Sequence, residues 1–152
     1  MRRRRLTFLV ILAVAVVWVL TCRTLSPATH SAMAEELLQH ELASPASYLA
    51  QNLNYQPPHF LYVVADDQPV DPSMDTLNRI STAQNRFLPG SSWTLGHGTR
   101  VIVLPPKPLG FGLYLVGHNY YCGMLCSSDN VAVMFYDSRN WHVVASFTTR
   151  LS

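Results

Sequence analysis

The chain has 152 residues, 49% hydrophobic and only 13% charged, with a formal charge of +2 at pH 7. Five of its 11 basic residues are Arg2, Arg3, Arg4, Arg5 and Arg23, so the rest of the chain sets six basic against 9 acidic side chains, a formal −3. That balance excludes a nucleic-acid surface, which needs clustered Lys and Arg, and the apolar content excludes a disordered chain.

Behind the four arginines, residues 6–22 form a 17-residue run without charge. At ~1.5 Å per residue it makes a helix roughly 25 Å long, between a signal-peptide core and a membrane span. The arginines hold the N-terminus in the cytoplasm. Residues 1–23 therefore read as a signal peptide or a single-pass inner-membrane anchor, with residues 6–22 as the membrane contact. Small-x-small sites at Ser26-Pro27-Ala28 and Ala32-Met33-Ala34 offer cleavage to a periplasmic or secreted form, and Cys22 offers lipidation. Residues 24–30 read as a linker and residues 31–152 as one extracytoplasmic domain.

Ser31 suits an N-cap, with Glu35 and Glu36 near the first turn and Leu37, Leu38 and Leu42 on one side. Ser44-Pro45 is a second start, with Tyr48, Leu49 and Leu53 as its apolar face, so the spacing predicts a bent helix or two short ones to residue 52. The β-branched and aromatic run at residues 59–65 reads as a strand, broken by Asp66-Asp67-Gln68-Pro69. Asp71-Pro72 opens a helix carrying Met74, Leu77 and Ile80.

From Phe87 onward the chain reads as β. Strands are expected at residues 93–95, 99–104, 111–117, 131–136 and 141–147, with Pro105-Pro106-Lys107-Pro108 kept out of any central ladder. Residues 118–130 read as a long loop and residues 137–140 as a hairpin turn. In the last strand Trp141, Val143, Ala145 and Phe147 alternate against His142, Val144 and Ser146. The sum is an α+β domain: an apolar signal or anchor helix, then helices packed on an antiparallel β-meander of about four to five strands.

The loop at residues 118–130 is the most distinctive internal feature. Outside the cytoplasm Cys122 and Cys126 are expected to form a disulfide that fixes its shape. Tyr120, Tyr121, Met124, Leu125 and Asn130 then form the candidate binding surface, because tyrosines on a constrained loop give large contact area at low entropy cost. The alternative chemistry is thin. His118, Cys122 and Cys126 form a possible metal set that lacks a second Cys pair. Cys122 with His97 or His142, or the Asp66-Asp67 pair with a histidine, are the candidates for an envelope hydrolase. No Gly-x-Ser-x-Gly, phosphate-cradling loop or His-Glu-x-x-His occurs, and no cofactor is expected.

In outline the chain resembles small bacterial envelope proteins. The expected function is a non-enzymatic, membrane-tethered or periplasmic module that binds a protein or an envelope component. The alternatives are the hydrolase above and a structural subunit of an envelope complex.

Overall fold

A computed structural model describes residues 27–45, 47, 50–51, 58–83, 85–94, 97–122 and 127–151, together with residues 11, 14 and 16. Among the described residues two α-helices can be bounded: α1 (Pro27–Ala43) and α2 (Met74–Ile80). The strands are β1 (His59–Ala65), β2 (Gln68–Val70), β3 (Phe87–Pro89), β4 (Thr99–Val103), β5 (Lys107–Gly110), β6 (Leu113–Tyr121), β7 (Ser127–Tyr136) and β8 (Trp141–Leu151).

All of them join one 8-stranded sheet in the order β2-β1-β4-β6-β7-β8, with β3 added on β1 and β5 on β6. The sheet is mixed. β1 runs parallel to both β3 and β4, while every other pairing is antiparallel. This corrects the small antiparallel meander. The reason lies in β1, whose His59, Phe60, Leu61, Val63 and Ala65 are all buried. A strand so fully covered needs ladders on both sides. The chain leaves it through the β2 hairpin, crosses as α2, and returns parallel as β3.

Both helices lie on one face of this wide sheet. α1 presents Met33, Ala34, Leu37 and Leu38, all fully buried, to a core with Leu77 and Ile80 of α2 and Leu61, Val101, Val103, Val116, Ala132 and Met134 of the sheet. Arg79 joins the helices through two bonds to Glu35 at 2.7 and 2.9 Å. The Trp141 indole N–H donates to the Thr29 carbonyl at 3.1 Å and ties β8 to the start of α1. Residues 27–30, expected as linker, are therefore helix, and Ser31 is mid-helix rather than a cap. Of the second helical segment expected at residues 44–52, Ala50 and Gln51 are helical and the Gln51 N–H donates to the Ser47 carbonyl at 3.0 Å; residues 46, 48, 49 and 52 lie outside the described residues.

Two further elements depart from the sequence reading. The loop expected at residues 118–130 is mostly strand, because β6 runs on through Tyr121 and β7 starts at Ser127. In β8 a bulge at the Val133/Met134 step leaves Val144 unpaired. The alternation therefore switches there: Ser146 joins Trp141 and Val143 on the helix-covered side, and Phe147, expected on the same face as Trp141 and Val143, is 58% exposed.

The anchor is corrected too. Among the described residues no helix is long and apolar enough to cross a membrane. The apolar anchor helix, the membrane and signal-anchor description, and the inner-membrane or periplasmic placement built on it are withdrawn. Of residues 1–23 only Ile11, Val14 and Val16 are described, as helical positions with exposed side chains. The remainder of that segment, Cys22 included, lies outside the described residues.

Candidate functional site

Strand parity divides the polar residues of β6 between two environments. His118 and Tyr120 point to the helix-covered side and are fully buried, or nearly so, while Asn119 and Tyr121 point to the open side. Each side carries a polar cluster, and their surroundings decide what each can do.

On the covered side the centre is Glu41, only 5% exposed. It continues the α1 stripe of Leu37 and Leu38, at the spacing where an apolar residue is expected. The Ser146 hydroxyl donates to one carboxylate oxygen at 2.5 Å, and the Ser47 hydroxyl donates to the other. His118 Nε2 stands 3.6 Å away, with its ring edge-on to Tyr120 at 5.5 Å. Burial pushes the Glu41 carboxyl up, but the contacts from His118, Ser146 and Ser47 and the charge of His118 outweigh it and hold the group at about 2. Burial, and secondarily the Glu41 charge, raises the Tyr120 phenol well above its usual range. Serine, histidine and carboxylate are the parts of a hydrolase, but here both hydroxyls donate to the carboxylate. The arrangement ties β8 and β6 to the end of α1 in a sealed core.

On the open side the strand register builds a small lattice. Arg100 pairs with Tyr121, which pairs with Ser127; one step along, Ile102 pairs with Asn119, which pairs with Asp129. These six side chains, with Tyr120, line a cavity of about 270 Å³. Trp93 and Tyr62 flank Arg100 without lining the cavity themselves. The Arg100 guanidinium lies 5.3 Å from the Trp93 ring and 5.5 Å from the Tyr62 ring, and Trp93 meets Tyr121 edge-on at 6.0 Å. Gly90 makes room for the Tyr62 ring: a Cβ there would stand 2.4 Å from it. Arg100 Nε and Trp93 Nε1 are buried without a hydrogen-bond acceptor, and Arg100 forms no ion pair among the described residues. The site is thus a held cation with aromatic faces beside it and an amide and a carboxylate across the floor.

Of the residues expected to form a binding surface, Tyr121 and Tyr120 line this cavity. Asn130 does not: it is buried on the covered side, donating to Ser128 Oγ at 3.0 Å and accepting from Thr148 at 2.8 Å. Met124 and Leu125 lie outside the described residues.

The expected Cys122–Cys126 pairing is not shown, because Cys122 is the one cysteine among the described residues. Cys122 itself is disulfide-bonded, and Cys22 and Cys126 lie outside the described residues. Among the described residues no group of three His, Cys, Asp or Glu side chains is placed to hold a metal, and His118 of the suspected set faces Glu41. Asp66 and Asp67 are exposed and form the β1–β2 turn at φ 49 and 60; the histidine that feels the Asp66 charge is His30, whose pKa burial lowers and the Asp66 carboxylate raises by a smaller amount. His97 is exposed in a bend, and His142 is exposed at 3.2 Å from Asp137. Backbone N–H groups of Asn140 and Arg139, helped by His142, hold the Asp137 carboxyl at about 2.

Sequence reasoning missed Arg100, Trp93, Asn119, Asp129 and Glu41. Arg100 had a readable signal: one cation in a strand of β-branched residues, opposite in parity to Val101 and Val103. Glu41 had one as well, as the acid in an apolar stripe. Asn119 and Asp129 had none, because their role depends on which strands pair. No protein-family model, curated protein or solved structure matches the chain.

Proposed function

We propose that the chain is a non-enzymatic binding module that takes a small ligand bearing an anionic group. The anion sits on Arg100, and the ligand's flat or apolar body rests against Tyr121. The observation that supports this reading is the Arg100 guanidinium itself. It is fixed between two rings, its Nε is shielded from water without an acceptor, and it opens on a cavity. An incoming carboxylate meets the terminal guanidinium N–H groups through charge-assisted hydrogen bonds. The cavity lining pairs Ser127 with no imidazole, which favours capture over acyl transfer.

Titration of the full chain with benzoate, read by tryptophan fluorescence, tests the reading. Arg100→Met keeps the apolar stem against the rings and removes the charge. The expected loss of affinity is about tenfold or more, from one charge-assisted hydrogen bond of ~1.5–3 kcal/mol. Equal affinity in the variant rejects the anion seat.

A second reading, contact with a protein partner, is favoured by one observation. Leu109 and Phe111 at the β5–β6 turn are 50% and 64% exposed, and Phe111 holds a left-handed φ of 54. Strained, exposed aromatic positions gather at functional surfaces. Serine at both positions would abolish capture of such a partner and leave benzoate binding intact.

A further inference from the structure

The cavity on the open face is chemically polar in one direction. Among its lining residues Arg100 is the one cation and Asp129 the one anion. They occupy opposite corners of the lattice, on β4 and β7, and Asn119 on β6 lies between them. Two strand spacings of ~4.8 Å and two residue steps of ~3.3 Å separate their backbones by about 12 Å. The two are not an ion pair, and neither the Asp129 carboxylate nor the Asn119 amide has a recorded hydrogen bond among the described residues. Cation, amide and carboxylate therefore stand in order across three strands, each open to a guest.

We infer that this site takes a short linear peptide with both termini free. The inference rests on the anion seat proposed above. The peptide's C-terminal carboxylate meets Arg100, a backbone amide meets the Asn119 side chain, which both donates and accepts, and the N-terminal ammonium meets Asp129. The length fits, since an extended chain advances ~3.3–3.6 Å per residue and a tripeptide spans roughly 10 Å. The size fits as well: about 270 Å³ lies just below the ~300–1,000 Å³ of sites for drug-sized molecules. Tyr121, which lines the cavity and meets Trp93 edge-on, offers an aromatic face to a side chain near the carboxylate end. Arg150 is the register neighbour of Asp129 on β8; it is exposed, forms no ion pair with Asp129 and lines no part of the cavity. It competes with the ammonium for Asp129 and limits that end of the interaction.

The test uses the full chain and three probes: the tripeptide alanyl-phenylalanyl-alanine, its N-acetyl form and its C-terminal amide, each titrated by calorimetry. Amidation is expected to weaken binding about tenfold or more, and acetylation about fivefold, the smaller figure reflecting the exposure of Asp129. Asp129→Asn, a surface change, is expected to remove the acetylation penalty while keeping the amidation penalty. Arg150→Gln is expected to tighten the free tripeptide and leave the acetylated one unchanged. If the unaltered chain binds the acetylated and free tripeptides equally while amidation still weakens binding, the peptide inference is overturned and the anion seat stands. If amidation costs nothing and Arg100→Met changes nothing, or if no probe binds, both are overturned.

Discussion

Replacing Glu41 with glutamine isolates the sealed polar cluster. The carboxylate receives hydroxyl donors from Ser47 and Ser146 and faces His118. Glutamine keeps the shape but offers one acceptor oxygen, and its NH2 confronts the second hydroxyl. The magnitude follows from the carboxyl's displacement from 4.5 to about 2 in the folded chain. Each unit is worth about 1.36 kcal/mol, so ionised Glu41 contributes roughly 3 kcal/mol relative to its protonated form. Because the folded value lies below the unfolded one, this stability is fully present above pH 4.5 and is lost as the pH falls from 4.5 through about 2. Urea unfolding of both chains across that window is the assay. The unaltered chain should exceed Glu41→Gln by about 3 kcal/mol at neutral pH, and the gap should close as the pH approaches 2. Asp137, also held at about 2, moves both curves alike and drops out of the difference. A gap independent of pH, or none at neutral pH, would falsify the account.

His59 gives the complementary case. It is fully buried, and burial lowers it from 6.5 to about 4 against the smaller opposing influence of the Asn85 side chain. The folded chain keeps it neutral, so stability is present above pH 6.5 and declines as the pH falls through about 4. His59→Leu should flatten that decline in urea unfolding, whereas an unchanged slope would assign it to other groups, His30 among them. Gly90→Ala places a Cβ against the Tyr62 ring. It should cost about 1–3 kcal/mol in thermal unfolding and weaken benzoate binding through the loosened Arg100, and an unchanged Tm would show that the ring yields freely. Phe111→Asn should raise stability by about 0.5–1 kcal/mol, since asparagine tolerates the left-handed φ; a lower Tm would mean that the phenyl ring makes a stabilising contact.

The sequence shows clearly the elements whose period is unbroken. Residues 59–65 and the Met74, Leu77, Ile80 spacing match β1 and α2, although the α2 cap is Ser73, whose hydroxyl accepts from Thr76 N–H at 3.2 Å. The end of β6 reads poorly because Gly117, His118 and Asn119 have weak strand propensity. The ladder to β4 on one side and β7 on the other overrides that preference. Sheet order was not legible for a different reason. Alternation states which face a residue takes, never which strand lies beside it, so nothing local said that β4 would lie parallel to β1. The candidate site inherits this blindness: Arg100, Asn119 and Asp129 are far apart in sequence and meet only through that pairing.

The two faces depend on each other through β8 and β6. Without the extra residue at Val144, Ser146 would stand on the open face and Glu41 would lose the donor that reaches it from β8. With the bulge, Glu41 fastens β8 directly and holds His118 of β6 in place from below. His118 immediately precedes Asn119, and the His118 carbonyl accepts from the buried Asn130 amide at 3.4 Å, one residue beyond Asp129. The floor of the open cavity is therefore the reverse side of the sealed cluster. Rigidity beneath it lets Asn119 and Asp129 keep fixed positions relative to Arg100, and fixed positions are what make a flat sheet surface selective, because a guest then meets groups that need no reordering. Glu41→Gln, whose partners Ser47, Ser146 and His118 lie outside the cavity lining, should on this argument weaken tripeptide binding as well as stability, while leaving benzoate, which spans only the Arg100 end, little changed.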